Sequence, residues 1–489
     1  MNEFDLVIRG GTVATAADVV QCDVGVHGGR IAALAADLPR GAQEIDARGR
    51  IVTPGGVDAH CHMDQPMPPP MKMADDFASA TRSAACGGTT TVIPFAAQMK
   101  GQSIMAAVDD YHRRAEGRAY VDYAFHLIVT DPTETVLREE LPELIRSGYT
   151  SFKIYMTYDD LKLNDRQILD VLALARREGA MAMVHAENAD CIGWLTDQLE
   201  AAGKTAPRYH AASRPRVVER EATHRAISLS ELVDVPVLIV HVSGSEAMEQ
   251  IRWAQSRGLR VYGETCPQYL FLTEENLGAD GYEGAKCVCS PPPRDKVNQQ
   301  AIWHGLASGV FQVFSSDHAP FRYDDEQGKK PGGKAVPFRY IPNGIPGIET
   351  RLPLLFSEGV GKGRLELSAF VALTATNPAK IYGLYPRKGT IAVGADADLL
   401  IWDPERGVTI TNSLLHHDVD YTPYEGMRLK GWPEVTLSRG EIVCAGGEPK
   451  GTLGRGQFLK CELPKPATPR PGVRGWVRAI SPTSSRSPA

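Results

Sequence analysis

The sequence predicts an α/β fold, a (β/α)₈ TIM barrel with a small β-sandwich domain built from both chain ends. Three observations predict it. The chain has 489 residues, more than one core usually holds. Apolar runs alternate with helix-length segments through the middle of the chain, and glycine-punctuated strand patterns occur near both ends.

The central region contains about eight short apolar runs separated by polar, helix-length stretches. The runs are GGVDAH, TTTVIPF, DYAFHLIVT, TSFKIYM, MAMVHAE, VPVLIVHV, RVYGETC and VFQVFSSDH. This alternation is typical of parallel βαβ units. The number and order of the runs favour a closed barrel, with an open doubly wound sheet as the alternative.

The sequence pattern at both ends of the chain is typical of short strands joined by glycine turns. The segments are FDLVIRGGTV, DVGVHGGRIAAL and QEIDARGRIV at the start, and GTIAVGADADLLIWD and EVTLSRGEIVCAGG near the end. We therefore predict a β-sandwich from residues 1–54 and 386–460, and a catalytic barrel over residues 55–385. Residues 461–489, rich in Pro, Ser and Arg, are predicted to form a flexible tail.

Composition and motifs exclude several classes of protein. The formal net charge of -6 and the lack of a basic stripe argue against nucleic-acid binding. No run approaches the roughly 20 apolar residues that span a bilayer, and the N-terminus lacks a secretory layout. Nine cysteines without a CxxC pair indicate reduced thiols. We expect a cytoplasmic protein that binds neither membranes nor nucleotide cofactors.

Metal-capable side chains fall at the ends of five central runs. They are His60 and His62 after GGVDA, Lys153 in SFKIYM, His185 after MAMV, His241 after VPVLIV and Asp317 after VFQVFSS. In a parallel barrel the carboxyl ends of the strands converge on one face, where active sites lie. Strand alternation also puts both imidazoles of an HxH on one side, as two ligands of one metal require. Together these residues predict a metal centre.

Lys153 is unusual because a lysine within an apolar strand is costly to bury. A snorkelling side chain is the ordinary explanation. If the amine is neutral, however, it can react with carbon dioxide to form a carbamate, an anionic ligand able to bridge two cations. Two metals sharing a hydroxide would then hydrolyse a carbonyl substrate. Asp317 could act as general base and then general acid, whereas the neighbouring His318 is interpreted as structural.

These motifs resemble the amidohydrolase superfamily, specifically its dihydropyrimidinase and hydantoinase branch. The resemblance runs from about residue 4 to about residue 460. It is carried by HCH at 60–62, GYTSFKIYMTY, MVHAEN, VHVSG, CSPPPR, SSDHAPF and IPNGIPGIE. It implies hydrolysis of a cyclic amide by a metal-bridging hydroxide, which opens a dihydropyrimidine or 5-substituted hydantoin to the N-carbamoyl amino acid.

The resemblance also assigns roles to individual residues. His60 and His62 would bind one metal with Asp317, His185 and His241 the other, and Lys153, as N6-carboxylysine, would bridge them. It further implies that the Tyr158 phenol donates to the developing oxyanion and that main-chain groups of Ser290 and Asn343 hold the substrate ring. Zinc is the metal that such proteins favour, although the ligand set accepts manganese or cobalt. The family also suggests a homotetramer.

The loop HCHMDQPMPPPMKMADDF departs from the family pattern and leaves the substrate open. Its four methionines, Met63, Met67, Met71 and Met73, suggest an apolar lid over the substituent of the ring. Dihydroorotase, a relative, has an arginine where this chain has Asp64, whose carboxylate would repel an acidic substrate. Allantoinase, cyclic imide hydrolase and a non-catalytic scaffold of the same fold are the alternatives.

Overall fold

The computed structural model describes residues 3–468. The chain begins with five strands, β1 (Leu6–Ala14), β2 (Val19–His27), β3 (Arg30–Ala35), β4 (Gln43–Asp46) and β5 (Ile51–Pro54). Only Gly28 and Gly29 separate β2 from β3, and both have positive φ angles, of 57° and 75°. A two-residue hairpin turn of this kind needs left-handed backbone at both positions, which glycine adopts without steric cost.

The next strands form the barrel. They are β6 (Gly56–Cys61), β7 (Thr89–Ala97), β8 (Asp122–Tyr123), β9 (His126–Ile128), β10 (Ser151–Tyr155), β11 (Met181–His185), β12 (Val237–Ile239), β13 (Val261–Thr265) and β14 (Val313–Phe314). Neighbours pair in parallel in the order β6-β7-β9-β10-β11-β12-β13-β14, and β8 pairs with β7. A parallel bridge between Cys61 and His318 joins the two ends of the sheet. The predicted barrel is confirmed, and the open doubly wound sheet is excluded.

The last strands are β15 (Leu399–Thr409), β16 (Arg428–Ser438), β17 (Glu441–Ala445) and β18 (Glu448–Pro449). Strand β15 pairs antiparallel with β5, so both chain ends contribute to one sheet. This mostly antiparallel sheet, in which only β4 and β5 run parallel to β1, forms the predicted β domain. The residue limits proposed for the domains stay predictions.

The helices of residues 3–468 lie mainly between the barrel strands. The α-helices are α1 (Phe77–Cys86), α2 (Ile104–Ala115), α3 (Leu141–Arg146), α4 (Asp165–Glu178), α5 (Ala189–Ala201), α6 (Tyr209–Ser213), α7 (Arg216–Val233), α8 (Ser245–Ser256), α9 (Gln268–Phe271), α10 (Lys296–Ala307), α11 (Arg351–Leu355), α12 (Leu367–Val371) and α13 (Asn377–Ile381). Helix α4 shows why they form. Asn164 and Gln167 make a capping box, Gly179 ends the helix in left-handed backbone, and the buried face repeats at helical spacing.

Only the first residues of the predicted tail are described. The Cys461 amide donates to the carbonyl of Gly148 at 3.0 Å, and Arg260 donates to the carbonyl of Thr468 at 3.0 Å. Residues 461–468 therefore lie against the barrel, and the rest of the predicted tail is outside the described residues. Within residues 3–468, none of the helices has both the length and the apolar character needed to cross a membrane.

Candidate metal centre and active site

The six predicted metal-capable side chains converge at the carboxyl end of the barrel. His60 belongs to β6, Lys153 to β10 and His185 to β11. The others follow strand ends closely: His62 comes one residue after β6, His241 two after β12 and Asp317 three after β14. All six residues are buried. The strand-end rule therefore places them in one cluster, although their role as ligands stays a prediction.

His60, His62 and Asp317 form the first group of potential ligands, and their ligand atoms lie within 4.8 Å of one another. Oδ1 of Asp317 is 3.2 Å from Nε2 of His60 and 3.6 Å from Nε2 of His62. Ligand atoms about 2.0–2.2 Å from a tetrahedral zinc ion stand about 3.4 Å apart. The two distances from Asp317 are close to this value, so the three side chains are placed to share a single cation.

A second group lies beside the first. Nδ1 of His185 is 2.9 Å from Nε2 of His241, and the rings of His60 and His241 are 5.4 Å apart. Nζ of Lys153 lies 2.8 Å from Nε2 of His60 and 4.6 Å from the centre of the Phe95 ring. Two sets of nitrogen donors with a lysine amine next to them match the arrangement that a bridged pair of cations would need.

The electrostatics of this cluster favour neutral ligands. Burial lowers the pKa of His62 to about 3 and that of His185 to about 4, so both imidazoles keep free lone pairs at neutral pH. Burial also lowers the pKa of Lys153 to about 8, which increases the fraction of neutral amine available for carbamate formation. The donor set therefore fits divalent cations, which bind neutral imidazole and carboxylate oxygen.

Two buried glutamates orient the imidazoles, and the sequence analysis missed both. Oε1 of Glu264 is 2.6 Å from Nδ1 of His60 and accepts the main-chain N–H of His241 at 3.1 Å. Oε2 of Glu187 is 2.8 Å from Nε2 of His185 and accepts a hydrogen bond from Arg214 at 2.8 Å. Carboxylates in this position fix the tautomer and direction of a ligand. Glu264 ends an apolar run, so the rule that found the other residues could have found it.

The backbone is strained at the same place. Positive φ angles occur at Tyr158 (64°), His241 (40°), Asp317 (47°) and Asp64 (46°). Non-glycine residues rarely adopt this region, and such strain persists where the surrounding structure overdetermines it. Its concentration among the predicted site residues is typical of a functional site.

Tyr158, Ser290 and Asn343 lie together beside the histidines. The ring of Tyr158 is 5.4 Å from that of His185, and Ser290 lies close enough to affect the pKa of the Tyr158 phenol. The Ser290 hydroxyl donates to Oδ1 of Asn343 at 3.1 Å. Burial raises the pKa of Tyr158 to about 12, so the phenol keeps its proton and can act as a donor. The sequence alone gave no reason to group these three residues.

The loop after the HxH motif differs from the expected apolar lid. Met63 is fully buried in the hydrophobic core and Met73 is nearly so, whereas Met67 and Met71 are half-buried. Asp64 forms an ion pair of 2.9 Å with Arg114 of α2. Because this partner offsets the carboxylate, repulsion of an acidic substrate is weaker than expected. The case against dihydroorotase then depends on the missing arginine.

The contacts of His318 explain its buried position without a catalytic role. Its Nε2 lies 3.1 Å from the Asp75 carboxylate, and its Nδ1 accepts the main-chain N–H of Gly347 at 3.1 Å. The ring is completely buried. These contacts agree with the structural role inferred from the sequence.

Comparison with known proteins gives consistent matches over nearly the whole chain. Residues 51–443 match the sequence model of the Amidohydrolase family. The D-hydantoinase of Ralstonia pickettii is 44% identical over 458 residues, which cover 94% of this chain and 99% of that protein. A solved D-hydantoinase structure has a TM-score of 0.91 at 44% identity, with 94% and 99% of the two chains covered. The dihydropyrimidinase of Brevibacillus agri NCHU1002 has a TM-score of 0.90 at 43% identity, with coverages of 95% and 99%.

Proposed function

The chain belongs to the amidohydrolase family, and we propose that it hydrolyses cyclic amides, opening a dihydropyrimidine or 5-substituted hydantoin to the N-carbamoyl amino acid. One observation carries this proposal. Six metal-capable side chains meet at the catalytic end of the barrel, in a chain 44% identical to a D-hydantoinase. The family predicted from the sequence motifs is confirmed.

Membership of the family implies a binuclear site for divalent metals. His60, His62 and Asp317 would hold one ion, and His185 and His241 the other. Lys153, as N6-carboxylysine, would contact both. Such ions supply Lewis-acid chemistry, because they polarise an amide carbonyl and lower the pKa of water. We propose zinc, with manganese and cobalt as alternatives that the same donors accept.

Asp317 is the residue we propose for proton transfer. Its carboxylate lies beside the proposed ligands His60 and His62, where it can reach a water molecule held between the cations. The carboxylate would take a proton from the attacking water and return it to the ring nitrogen that leaves. Its buried position beside the imidazoles limits competing exchange with bulk water.

Tyr158, Ser290 and Asn343 would hold the substrate. The protonated phenol of Tyr158 would donate to the oxygen that gains charge during attack. Main-chain groups of Ser290 and Asn343 would pair with the amide and carbonyl of the ring. The hydrogen bond between Ser290 and Asn343 supports this, since it holds the two loops in register.

The ring-opening rate on a panel of substrates tests the proposal. The panel contains dihydrouracil, hydantoin, 5-substituted hydantoins, allantoin and a cyclic imide, each with added Zn²⁺, Mn²⁺ or Co²⁺. We expect the fastest opening with hydantoins or dihydrouracil. Faster opening of allantoin or the imide would favour those alternatives, and failure to open any ring would refute cyclic-amide hydrolysis.

The alternative outside the enzymes is a non-catalytic scaffold protein of the same fold. Retention of all six metal-capable side chains in one buried cluster argues against it. Freshly purified protein that contains none of the three metals would revive it. The homotetramer and the cytoplasmic location stay predictions of the sequence.

A further inference from the structure

A second cluster of metal-capable side chains lies between the barrel and the β domain. Cys86 ends α1, Cys444 lies in β17, Glu349 precedes α11 and His416 lies between β15 and β16. Ligand atoms of Cys86, Glu349 and His416 are within 4.8 Å of one another. The thiol of Cys444 lies close enough to Cys86 that each affects the pKa of the other. A thiol, an imidazole and a carboxylate from three distant segments therefore meet at one point, and the thiol of Cys444 lies beside them.

Glu349 holds this cluster in place. Its Oε2 accepts hydrogen bonds of 2.8 Å from the Ser83 hydroxyl and from the main-chain N–H of His416. Its Oε1 is 2.8 Å from Nδ1 of His416. The carboxylate thus fixes both the backbone and the ring of His416. Such an arrangement limits the entropy lost when these groups bind a ligand.

The end of α1 approaches Glu349 closely. A Cβ atom at Gly87 would lie 2.3 Å from the main-chain oxygen of Glu349, so only glycine fits there. Cys86, Cys444 and Glu349 are 2%, 4% and 3% exposed, whereas the His416 side chain is 21% exposed. The thiols are therefore shielded, and the imidazole borders a path from solvent.

We propose that Cys86, Cys444, His416 and Glu349 bind one thiophilic divalent cation of the zinc class. Zinc takes thiolate, imidazole and carboxylate ligands at about 2.0–2.3 Å, which puts ligand atoms about 3.5 Å apart. The ligand atoms of Cys86, Glu349 and His416 now lie within 4.8 Å of one another, so the side chains would draw closer when the cation binds. Soft sulfur ligands select zinc, cadmium or cobalt over magnesium or calcium.

Binding is a ligand exchange without electron transfer. The cation replaces the proton shared by His416 and Glu349 and the two thiol protons, which pass to solvent. Two thiolates and one carboxylate leave a net charge of -1 around a divalent ion. Arg82, which donates to the carbonyl of His416 at 2.7 Å, supplies a nearby positive charge. The site would connect α1 of the barrel to β17 of the β domain.

The absorption spectrum of bound Co²⁺ distinguishes this site from the active site, because none of the proposed active-site ligands is a cysteine. The full, reduced chain is titrated with Co²⁺ while absorption and bound metal are recorded. We expect a thiolate-to-cobalt charge-transfer band and a third bound ion per chain, beyond the two proposed for the active site. Cys86→Ser, Cys444→Ser and His416→Gln should each weaken or abolish the band and the third ion.

Cys191→Ser is the matched control, because Cys191 is an exposed thiol elsewhere on the surface, and it should keep the band. If Cys86→Ser does not fold, Cys444→Ser and His416→Gln still decide the question. Absence of the band, or its persistence in Cys444→Ser, would overturn the proposal. So would a thiol count in unreduced, denatured protein two below the nine cysteines, which would indicate a disulfide. Ring opening should remain in all these variants, so the outcome is independent of the proposed function.

Discussion

The amine of Lys329 donates a hydrogen bond of 2.6 Å to the main-chain carbonyl of Pro342, the residue immediately before Asn343. The same amine donates to the carbonyl of Val288 at 2.9 Å, two residues before Ser290. Lys329 is completely buried. It therefore joins the two loops that carry the proposed substrate-holding residues.

Replacing Lys329 should weaken substrate binding. In Lys329→Met the two carbonyls lose their shared donor, and we expect KM to rise about tenfold, which corresponds to about 1.4 kcal/mol, while kcat changes less. Steady-state kinetics on the preferred ring and metal analysis check this. Lys330→Met is the control, because Lys330 contacts the exposed Asp324 and the ring of Tyr323 instead of the two loops, and it should leave KM unchanged. Loss of bound metal in Lys329→Met would contradict a role in positioning.

The same lysine should give a pH-dependent contribution to stability. Burial lowers the pKa of Lys329 to about 7, whereas the unfolded chain has a value of about 10.4. Between these values the unfolded state binds more protons, so this residue's contribution to stability rises with pH. Compared with Lys329→Met, wild type should gain unfolding free energy between about pH 6 and about pH 9. A difference independent of pH in urea unfolding would show that the amine titrates normally.

The barrel and its six metal-capable residues could be predicted because five of these residues follow an apolar run and the sixth, Lys153, lies within one. Chain order alone then places them at one face of the barrel. Other features depend on contacts between segments without a shared motif. Asp64 pairs with Arg114, which lies fifty positions later in the chain. Cys86 of the barrel lies near Cys444 of the β domain because the two domains pack together. Lys329 lies in a loop, where the sequence has no periodic hydrophobic pattern that would predict burial.

A substitution of Lys153 tests whether its carbamate bridges the two proposed metal ions. Lys153→Ala removes the amine that would carry the carbamate, so we expect loss of bound metal and a fall in kcat of at least about 100-fold. A short carboxylic acid such as propionate should partly restore both, because its carboxylate can enter the space left by the side chain. Metal content and ring-opening rate are the measurements. Full activity of Lys153→Ala without added acid would rule out the carbamate.

Substitutions of the half-buried Met67 and Met71 test the prediction that this loop contacts the substituent of the ring. Met67→Ala and Met71→Ala should change the ratio of kcat/KM between 5-substituted and unsubstituted hydantoins, since each removes apolar surface from the loop. A shift of about 10-fold is expected from the loss of one large apolar contact. Met105→Ala, at an exposed position of α2, is the control. An unchanged ratio in both loop variants would place the substituent elsewhere.

A buried ionic network should carry much of the stability between the barrel and the β domain. Nζ of Lys388 lies 2.7 Å from carboxylate oxygens of Asp122 and Asp398 and 3.0 Å from Asp396. Asp122 belongs to β8 of the barrel, and the lysine side chain is 1% exposed. Arg439 also pairs with Asp122 and Arg387 with Asp396, so removing the lysine leaves the buried Asp398 without its cationic partner, which costs about 3–5 kcal/mol.

We therefore expect Lys388→Met to lower the free energy of unfolding in urea by about 3–5 kcal/mol, or to prevent folding. Lys430→Met is the matched control. Lys430 pairs with Glu405 at the surface, where the side chains are 64% and 77% exposed, and such pairs contribute at most about 1 kcal/mol. Asp398→Asn in the Lys388→Met background should recover part of the loss, because it removes the carboxylate that has lost its cationic partner. Equal stability of Lys388→Met and Lys430→Met would mean that the two arginines and water, rather than the lysine, compensate these carboxylates.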